Sequence, residues 1–412
     1  MFMKLIFGAF LLLFLFFTHF SLGQNGCIDP QAQNYNPNAI WNDGSCIYST
    51  TNYSLQLVTD FPDELQENSG LIFYNSHLYS INDGGNSTDF QELDTQGNII
   101  RSINVSESQN FDWEAISQND STIFLGDFGN NGGNRQDLCI YRISKNQLIG
   151  NDTVGMSKFW FTYPDQNSFS NSSNNHNFDC EAFVYYQDSL HLFTKGWQNL
   201  FTKHYVLPIN SVDTVEAILR DSMWVDGLIT DATIDSTTGR LLLLGYKNNG
   251  SNFYTSFVYL LFDFPTNDFF SGNKRRIEIG NMLTVSQTEG ITFNNSTNGF
   301  ISSEKISSSI ITIPPKLFSF NFQSYFENSQ SSVQFTEEEP ALVFPNPSNH
   351  ELTLPWVFKN LSFLDLSGNK IAQLKSIEPK RTIDLLALPL MKSNTYYIRN
   401  EDTQKTVKFL FQ

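Results

Sequence analysis

Between about residues 52 and 323 one short strand pattern recurs: a polar residue, often acidic, then a small residue, then an apolar pair. It reads Asn68-Ser69-Gly70-Leu71-Ile72, Trp113-Glu114-Ala115-Ile116, Cys180-Glu181-Ala182-Phe183, Thr230-Asp231-Ala232-Thr233-Ile234 and Thr288-Glu289-Gly290-Ile291. Each unit runs on into a second apolar strand, at Leu78-Tyr79-Ser80-Ile81, Thr122-Ile123-Phe124-Leu125, Leu190-His191-Leu192-Phe193, Leu241-Leu242-Leu243-Leu244 and Gly299-Phe300-Ile301. Third strands follow in several units, as at Leu138 to Ile143 and Phe257 to Phe262. Repeats of about fifty residues built from strands alone predict an all-β chain organised as a β-propeller, in which each blade buries its faces against its neighbours. Asn, Ser, Gly and Asp cluster between the runs as turn chemistry requires, and no helical period competes. Five units are visible, but the wide spacing from Glu114 to Glu181 leaves room for a degenerate one, so five or six blades are both open. The runs Ser54 to Val58 and Leu317 to Phe320 are placed to close the ring.

In a propeller the first strand of each unit lines the central channel, which would bring Glu114, Glu181, Asp231 and Glu289 toward one mouth. Carboxylates converging from separate strands suit calcium, a hard cation that accepts many oxygen ligands at flexible angles. Alternatively each carboxylate accepts backbone N–H groups from the next blade and registers the ring. A second constellation follows the second strands: Asp83 in Asn82-Asp83-Gly84-Gly85-Asn86, and Asp127 in Gly126-Asp127-Phe128-Gly129-Asn130-Asn131, which leads to Arg135. Gly-rich Asp loops at strand ends also serve simply as turns.

The pair Asp112-Trp113-Glu114 and Gly126-Asp127-Phe128-Gly129-Asn130 resembles a recurrent propeller family of exported bacterial proteins, distantly similar to phytase-like and esterase-like propellers. The resemblance to phytases implies channel-mouth carboxylates that hold calcium against substrate phosphate. Only Lys195, Lys203 and Arg135 stand as cationic partners at comparable positions. There is no Gly-x-Ser-x-Gly elbow, no His-Glu-x-x-His helix, no phosphate-cradling Gly-rich loop and no Cys-x-x-Cys. His77, His176, His191, His204 and His350 lack metal-ligand spacing. The 16 Tyr and 38 Phe serve inter-blade packing first and a sugar-stacking surface second.

Near the start, Cys27 and Cys46 bracket a segment too short to hold itself by apolar burial. It resembles a short Bacteroidetes repeat of the form Gly-Cys-Thr-Asp-Pro…Asn-Tyr-Asn-Pro…Asp-Gly-Ser-Cys. A Cys27–Cys46 disulfide is expected of an exported chain. Asp29, Asn34, Asn36 and Asp43 either ligate calcium, as similarity to thrombospondin-type repeats implies, or make side-chain turns. Cys139 and Cys180 lie in strand runs, as buried thiols or as a second bridge.

The two ends carry export signals. Lys4, the apolar run Leu5 to Phe20 and the small residues Ser21 and Gly23 read as a signal peptide cut before Gln24. No further long apolar run follows, so no transmembrane segment is expected in the mature chain. Cys27 follows Gln24-Asn25-Gly26, which does not fit a lipid anchor. From Leu342-Val343-Phe344-Pro345-Asn346-Pro347-Ser348 onward, short alternating runs at Glu351 to Leu354, Leu364 to Ile371, Ile383 to Leu385, Tyr396 to Ile398 and Val407 to Phe409 predict a small β-sandwich. This segment resembles the C-terminal sorting domain of the Bacteroidetes type IX secretion system, which implies that machinery as a partner and a surface or extracellular location. Residues 1–23 are thus expected to be signal, 24–50 the cysteine module, 51–325 propeller, 326–340 linker and 341–412 sorting domain. The formal net charge of −17, with 16% charged residues, argues against nucleic acid as a partner. Two functions fit: a secreted propeller that binds a glycan or protein, and a calcium-dependent phosphoester or ester hydrolase.

Overall fold

The computed structural model describes residues 24–250, 253–307, 312–326, 350–364, 370–388, 390, 394–401 and 406–411. The N-terminal apolar run, the Phe344-Pro345-Asn346-Pro347 opening and, within the Leu364 to Ile371 run, the expected tight reversal at Ser367-Gly368-Asn369 lie outside them. The chain divides into two compact units, residues 1–331 and 332–412. No helix among the described residues is long and apolar enough to cross a membrane.

The first unit is a five-bladed propeller. Its inner strands are Asn68–Tyr74, Trp113–Gln118, Asp179–Tyr186, Leu228–Asp235 and Gln287–Phe293, each paired antiparallel with the strand that follows it. The second strands explain why the sequence reads as continuous apolar runs rather than as alternation. Leu241 and Leu243 join the core shared by blades three and four, whereas Leu242 and Leu244 join the core shared by blades four and five. Successive side chains on a strand point to opposite faces, and in a propeller both faces are buried. Five such inter-blade cores close the circle, the last joining Leu71 and Leu78 of blade one to Phe300 and Leu317 of blade five.

The expected ring closure is present. Gln56–Asp60 pairs antiparallel with Lys316–Asn321, so a strand from the beginning of the chain completes the last blade. The sixth-blade alternative is ruled out. The spacing between Glu114 and Glu181 is filled by two further strands of blade two, Cys139–Ser144 and Ser157–Thr162, and by the connections flanking them. Three outer edges are covered by short parallel strands, Thr153–Val154, Val215–Glu216 and Thr51–Asn52, which hide N–H and C=O groups that would otherwise be open to another chain.

The cysteine module is bridged by a Cys27–Cys46 disulfide. It packs on the propeller through Tyr48, whose ring contacts Phe262, and through Arg275, which donates to Gln31 and Thr51. Cys139 and Cys180 are free and buried, so no second bridge forms.

In the second unit the described strands form one antiparallel sheet in the order Lys370–Asp384, Glu351–Leu364, Asn394–Asn400, Thr406–Phe411. Its buried side chains include Leu352, Leu354 and Phe358 before a break in pairing register, and Leu361 and Phe363 after it. The switch from even to odd positions is what a bulge produces, and it lets both ends of one long strand feed one core.

Candidate functional site

Each inner strand carries one register shift near its start, where one extra residue stands without a partner in the second strand. The extra residues are Gly70, Glu114, Glu181, Thr230 and Glu289. Gly70 adopts a φ of +79°, and a Cβ there would lie 2.9 Å from the Ile116 nitrogen, so this position is closed to any side chain. Thr230 donates its hydroxyl to the Thr288 carbonyl at 2.8 Å, which ties blade four to blade five.

Asp231 therefore takes the second of the two roles expected of these carboxylates, that of accepting a backbone N–H group from the next blade. It sits one residue past the bulge, fully buried, and accepts N–H groups from Ile291 at 2.7 Å and Ala232 at 2.8 Å. It registers adjacent blades, while Glu114, Glu181 and Glu289 occupy the equivalent bulged positions and act on one another electrostatically.

The two constellations that the sequence keeps apart meet in space. Carboxylate oxygens of Asp83, Asp112 and Glu114 all lie within 4.8 Å of one another. Backbone bonds lace their loops together: Gly85 N donates to Asn110 O, Gly129 N to Asp112 O, and the Asn110 amide to Asp83 O. Two glycines keep the space clear. A methyl on Gly129 would run into the Glu114 and Asp112 carboxylates, and one on Gly84 would lie 2.5 Å from Asp112 Oδ1.

Asp127 and Arg135 frame this trio from behind. Asp127 is fully buried, accepts from Arg135 Nη2 at 2.9 Å, and takes the Asp112 N–H at 3.1 Å. Arg135 also donates to Gly129 O at 2.8 Å and to Asp137. Its guanidinium is thus spent on holding the loop. Lys203 pairs with Asp165 and takes no part in the trio.

Further round the mouth, Lys195 donates to Glu181 Oε2 at 2.6 Å, both groups being buried. Glu289 accepts from Gln287 Nε2 at 2.6 Å through one oxygen, while its other oxygen is buried with no donor among the described residues. Glu114 is 4% exposed and its carboxylate has neither an ion pair nor a side-chain hydrogen bond among the described residues. Burial, reinforced by Glu181, Asp83 and Asp112, holds Glu114 well above the usual carboxylate range. Burial and the neighbouring Asp83 and Asp179 push Asp112 up to about 7.

Asp112 and Glu304 also belong to this mouth, although neither stands in the repeat as a ligand. Burial, Glu289 and Asp83 push Glu304 upward. A signal exists in the pairing: Asp127, Lys195 and Glu304 all end the second strands, directly across from the starts of the inner strands. An oxygen set spanning less than 5 Å matches opposite ligands on a calcium ion, whose bonds are about 2.3–2.6 Å. Asp83, Asp112 and Glu114 are the residues able to hold one.

The cysteine module is different. Asp29 accepts from Gln31 N at 2.9 Å and Tyr48 OH at 2.8 Å, Asn34 exchanges bonds with Ser45 O and Ile47 N, Asn36 accepts from Asn38 N, and Asp43 from Ser45 N. Asp29, Asn36 and Asp43 each accept an N–H two residues on, as in a side-chain turn, and Asn34 ties across the module. His191 and His204 stack beneath Phe269 with their nitrogens 2.8 Å apart, and burial lowers them to about 4 and about 3, so they form a neutral core pair.

No family model and no curated protein matches the chain. Among solved structures it is similar to the PQQ-bound aldose sugar dehydrogenase of Streptomyces coelicolor, at 9% identity over 65% of this chain and 98% of that one, with a TM-score of 0.37. It is similar also to the calcium-binding protein regucalcin of Agrobacterium tumefaciens, at 11% identity over 67% and 96%, with a TM-score of 0.36. A GH43 β-1,3-galactosidase solved with galactodeoxynojirimycin matches at 8% identity over 68% and 93%, with a TM-score of 0.38. At these identities and scores no activity or ligand passes from them to this chain.

Proposed function

We propose that the chain is an exported propeller that holds a divalent cation, calcium in the first instance, between Asp83, Asp112 and Glu114, and uses it to bind a glycan at the channel mouth. The observation that carries this reading is Glu114: a carboxylate that is almost wholly buried beside two others, with no ion pair and no side-chain hydrogen bond among the described residues. An isolated buried charge costs far more than folding can spare, so it either keeps a proton or awaits a cation. The rim supports a sugar ligand. Phe111, 56% exposed, stands next to Asp112, and Trp197 is held by its indole N–H on Asp179 Oδ2 at 2.7 Å. Flat rings beside a cation that can take hydroxyl oxygens are a means of gripping a polyol.

Calcium titration by calorimetry, followed by glycan binding with and without chelator, tests the reading. Binding that needs calcium supports it; binding indifferent to chelation, or a chelation-sensitive protein ligand in place of a glycan, opposes it.

Export through the type IX route is proposed from the C-terminal resemblance, supported by a separately compact C-terminal unit and a formed disulfide. Truncation after Pro340 is expected to retain the protein inside the cell. Unchanged secretion would refute this.

One observation favours hydrolysis at the same mouth. Asp112, raised to about 7, lies where a carboxyl can exchange protons at neutral pH. Chelation-sensitive turnover of an aryl phosphate or aryl ester would support it.

A further inference from the structure

The inner strands end at the opposite mouth of the channel, and there they enclose a funnel of about 630 Å³. That is the size of a small-molecule site. Tyr74, Tyr185, Tyr186 and Phe293 supply its aromatic wall. Into it reaches Lys145, the first residue of a short 3-10 helix that follows the third strand of blade two.

Lys145 is 5% exposed, yet its ammonium has no ion pair and no hydrogen bond among the described residues. Its one close partner is the face of Tyr74, with Nζ 3.9 Å from the ring centroid. Asp120 lines the same funnel but is exposed and forms no ion pair with it. A second group nearby is incompletely used: Gln118 donates its amide to Phe73 O at 2.8 Å, while its carbonyl oxygen is buried without a donor. The funnel thus holds a buried cation that the exposed Asp120 acts on without pairing to it, an acceptor without a donor among the described residues, and flat aromatic faces.

We infer that this second mouth binds a carboxylated sugar, a hexuronate, with its carboxylate on Lys145, its hydroxyl groups on Gln118 and the other amides of the rim, and its ring face on the tyrosines. One ammonium asks for one negative charge, and burial makes the pairing stronger than it would be in water. Burial lowers Lys145 to about 8, so a counter-anion restores a charge that the site alone disfavours. The inference stands on observations separate from those of the carboxylate mouth. The hexuronate can be a free sugar or the end of an acidic polysaccharide.

The test uses the full chain with galacturonate, trigalacturonate and galactose in calorimetric titrations, in the wild type and in Lys145→Met, which keeps the stem and removes the charge. Galacturonate is expected to bind at least tenfold more tightly than galactose and to lose at least tenfold in Lys145→Met. Trigalacturonate binding more tightly still would assign the polysaccharide source, and equal binding the free sugar. Equal affinity for galacturonate and galactose would overturn the inference. So would uronate binding that survives Lys145→Met but is lost in Asp112→Asn/Glu114→Gln. Labelling of Lys145 in the wild type by an amine reagent, read by peptide mass spectrometry, covers the case of a variant that does not fold. Galacturonate should slow that labelling at least threefold, and labelling left unchanged by saturating galacturonate contradicts the proposal.

Discussion

The cysteine module and the carboxylate mouth are both rich in oxygen ligands, and they use them in opposite ways. In the module, Asp29, Asn34, Asn36 and Asp43 stand at loop spacing and each accepts from a donor within the module itself. At the mouth, Asp83 comes from one chain segment and Asp112 and Glu114 from another, and a fixed scaffold leaves their oxygens facing one another. Asp127 and Arg135 hold the loops, and Gly84 and Gly129 keep the intervening space empty. What differs is how many donors reach the oxygens: Asp83 accepts from Gly84 N, whereas the Asp112 and Glu114 carboxylates have no donor among the described residues.

The contrast can be broken at several points. The largest effect is expected at Lys195, the one ammonium paired with a mouth carboxylate. Lys195→Met leaves Glu181 buried without a partner and should cost about 3–5 kcal/mol in chemical denaturation. A loss below about 1 kcal/mol would show that Glu181 simply takes a proton. Next, Cys27→Ser with Cys46→Ser should lower stability by about 3 kcal/mol, seen as early protease nicking of the module, with calcium affinity at the mouth unchanged.

Gly129→Ala places a methyl against Asp112 and Glu114. A cost of about 1–3 kcal/mol is expected, with a tenfold or greater loss of calcium affinity by calorimetry. Calcium binding that survives this change would move the site elsewhere. The smallest effect belongs to Asp43→Asn, where an amide oxygen can keep the turn bond to Ser45; stability should change by less than about 0.5 kcal/mol and calcium binding not at all.

The blades were legible because burial on both faces forces continuous apolar runs such as Leu241 to Leu244, separated by turn residues. Blade number was less so, since the connections around the third and fourth strands of blade two widen the gap between Glu114 and Glu181 enough to resemble a missing unit. That Asp231 takes the registering role has a physical origin. A bulge is set by pairing with the next strand, and Thr230-Asp231-Ala232 imitates Cys180-Glu181-Ala182 in type while sitting one residue out of register. Asp112 was visible only as a neighbour of Glu114, because what makes it a candidate ligand is its approach to Asp83, on another blade. The residues of Lys145's funnel carried no motif: Lys145 follows a strand, and only the closed ring sets it against Tyr74.

The central proposal is that the mouth, and not the module, holds calcium. Thermal unfolding of the full mature chain with and without millimolar calcium tests it, in the wild type, in Asp112→Asn/Glu114→Gln and in Asp29→Asn/Asp43→Asn. A ligand at a hundred times its dissociation constant stabilises by about 2.7 kcal/mol, which is a rise of several degrees in a chain of this size. The account predicts that rise in the wild type and in the module variant alike, and its absence in the mouth variant, whose unfolding without calcium should stay cooperative. A flat melting temperature in the wild type, or an increment that disappears with the module changes and survives the mouth changes, would contradict it.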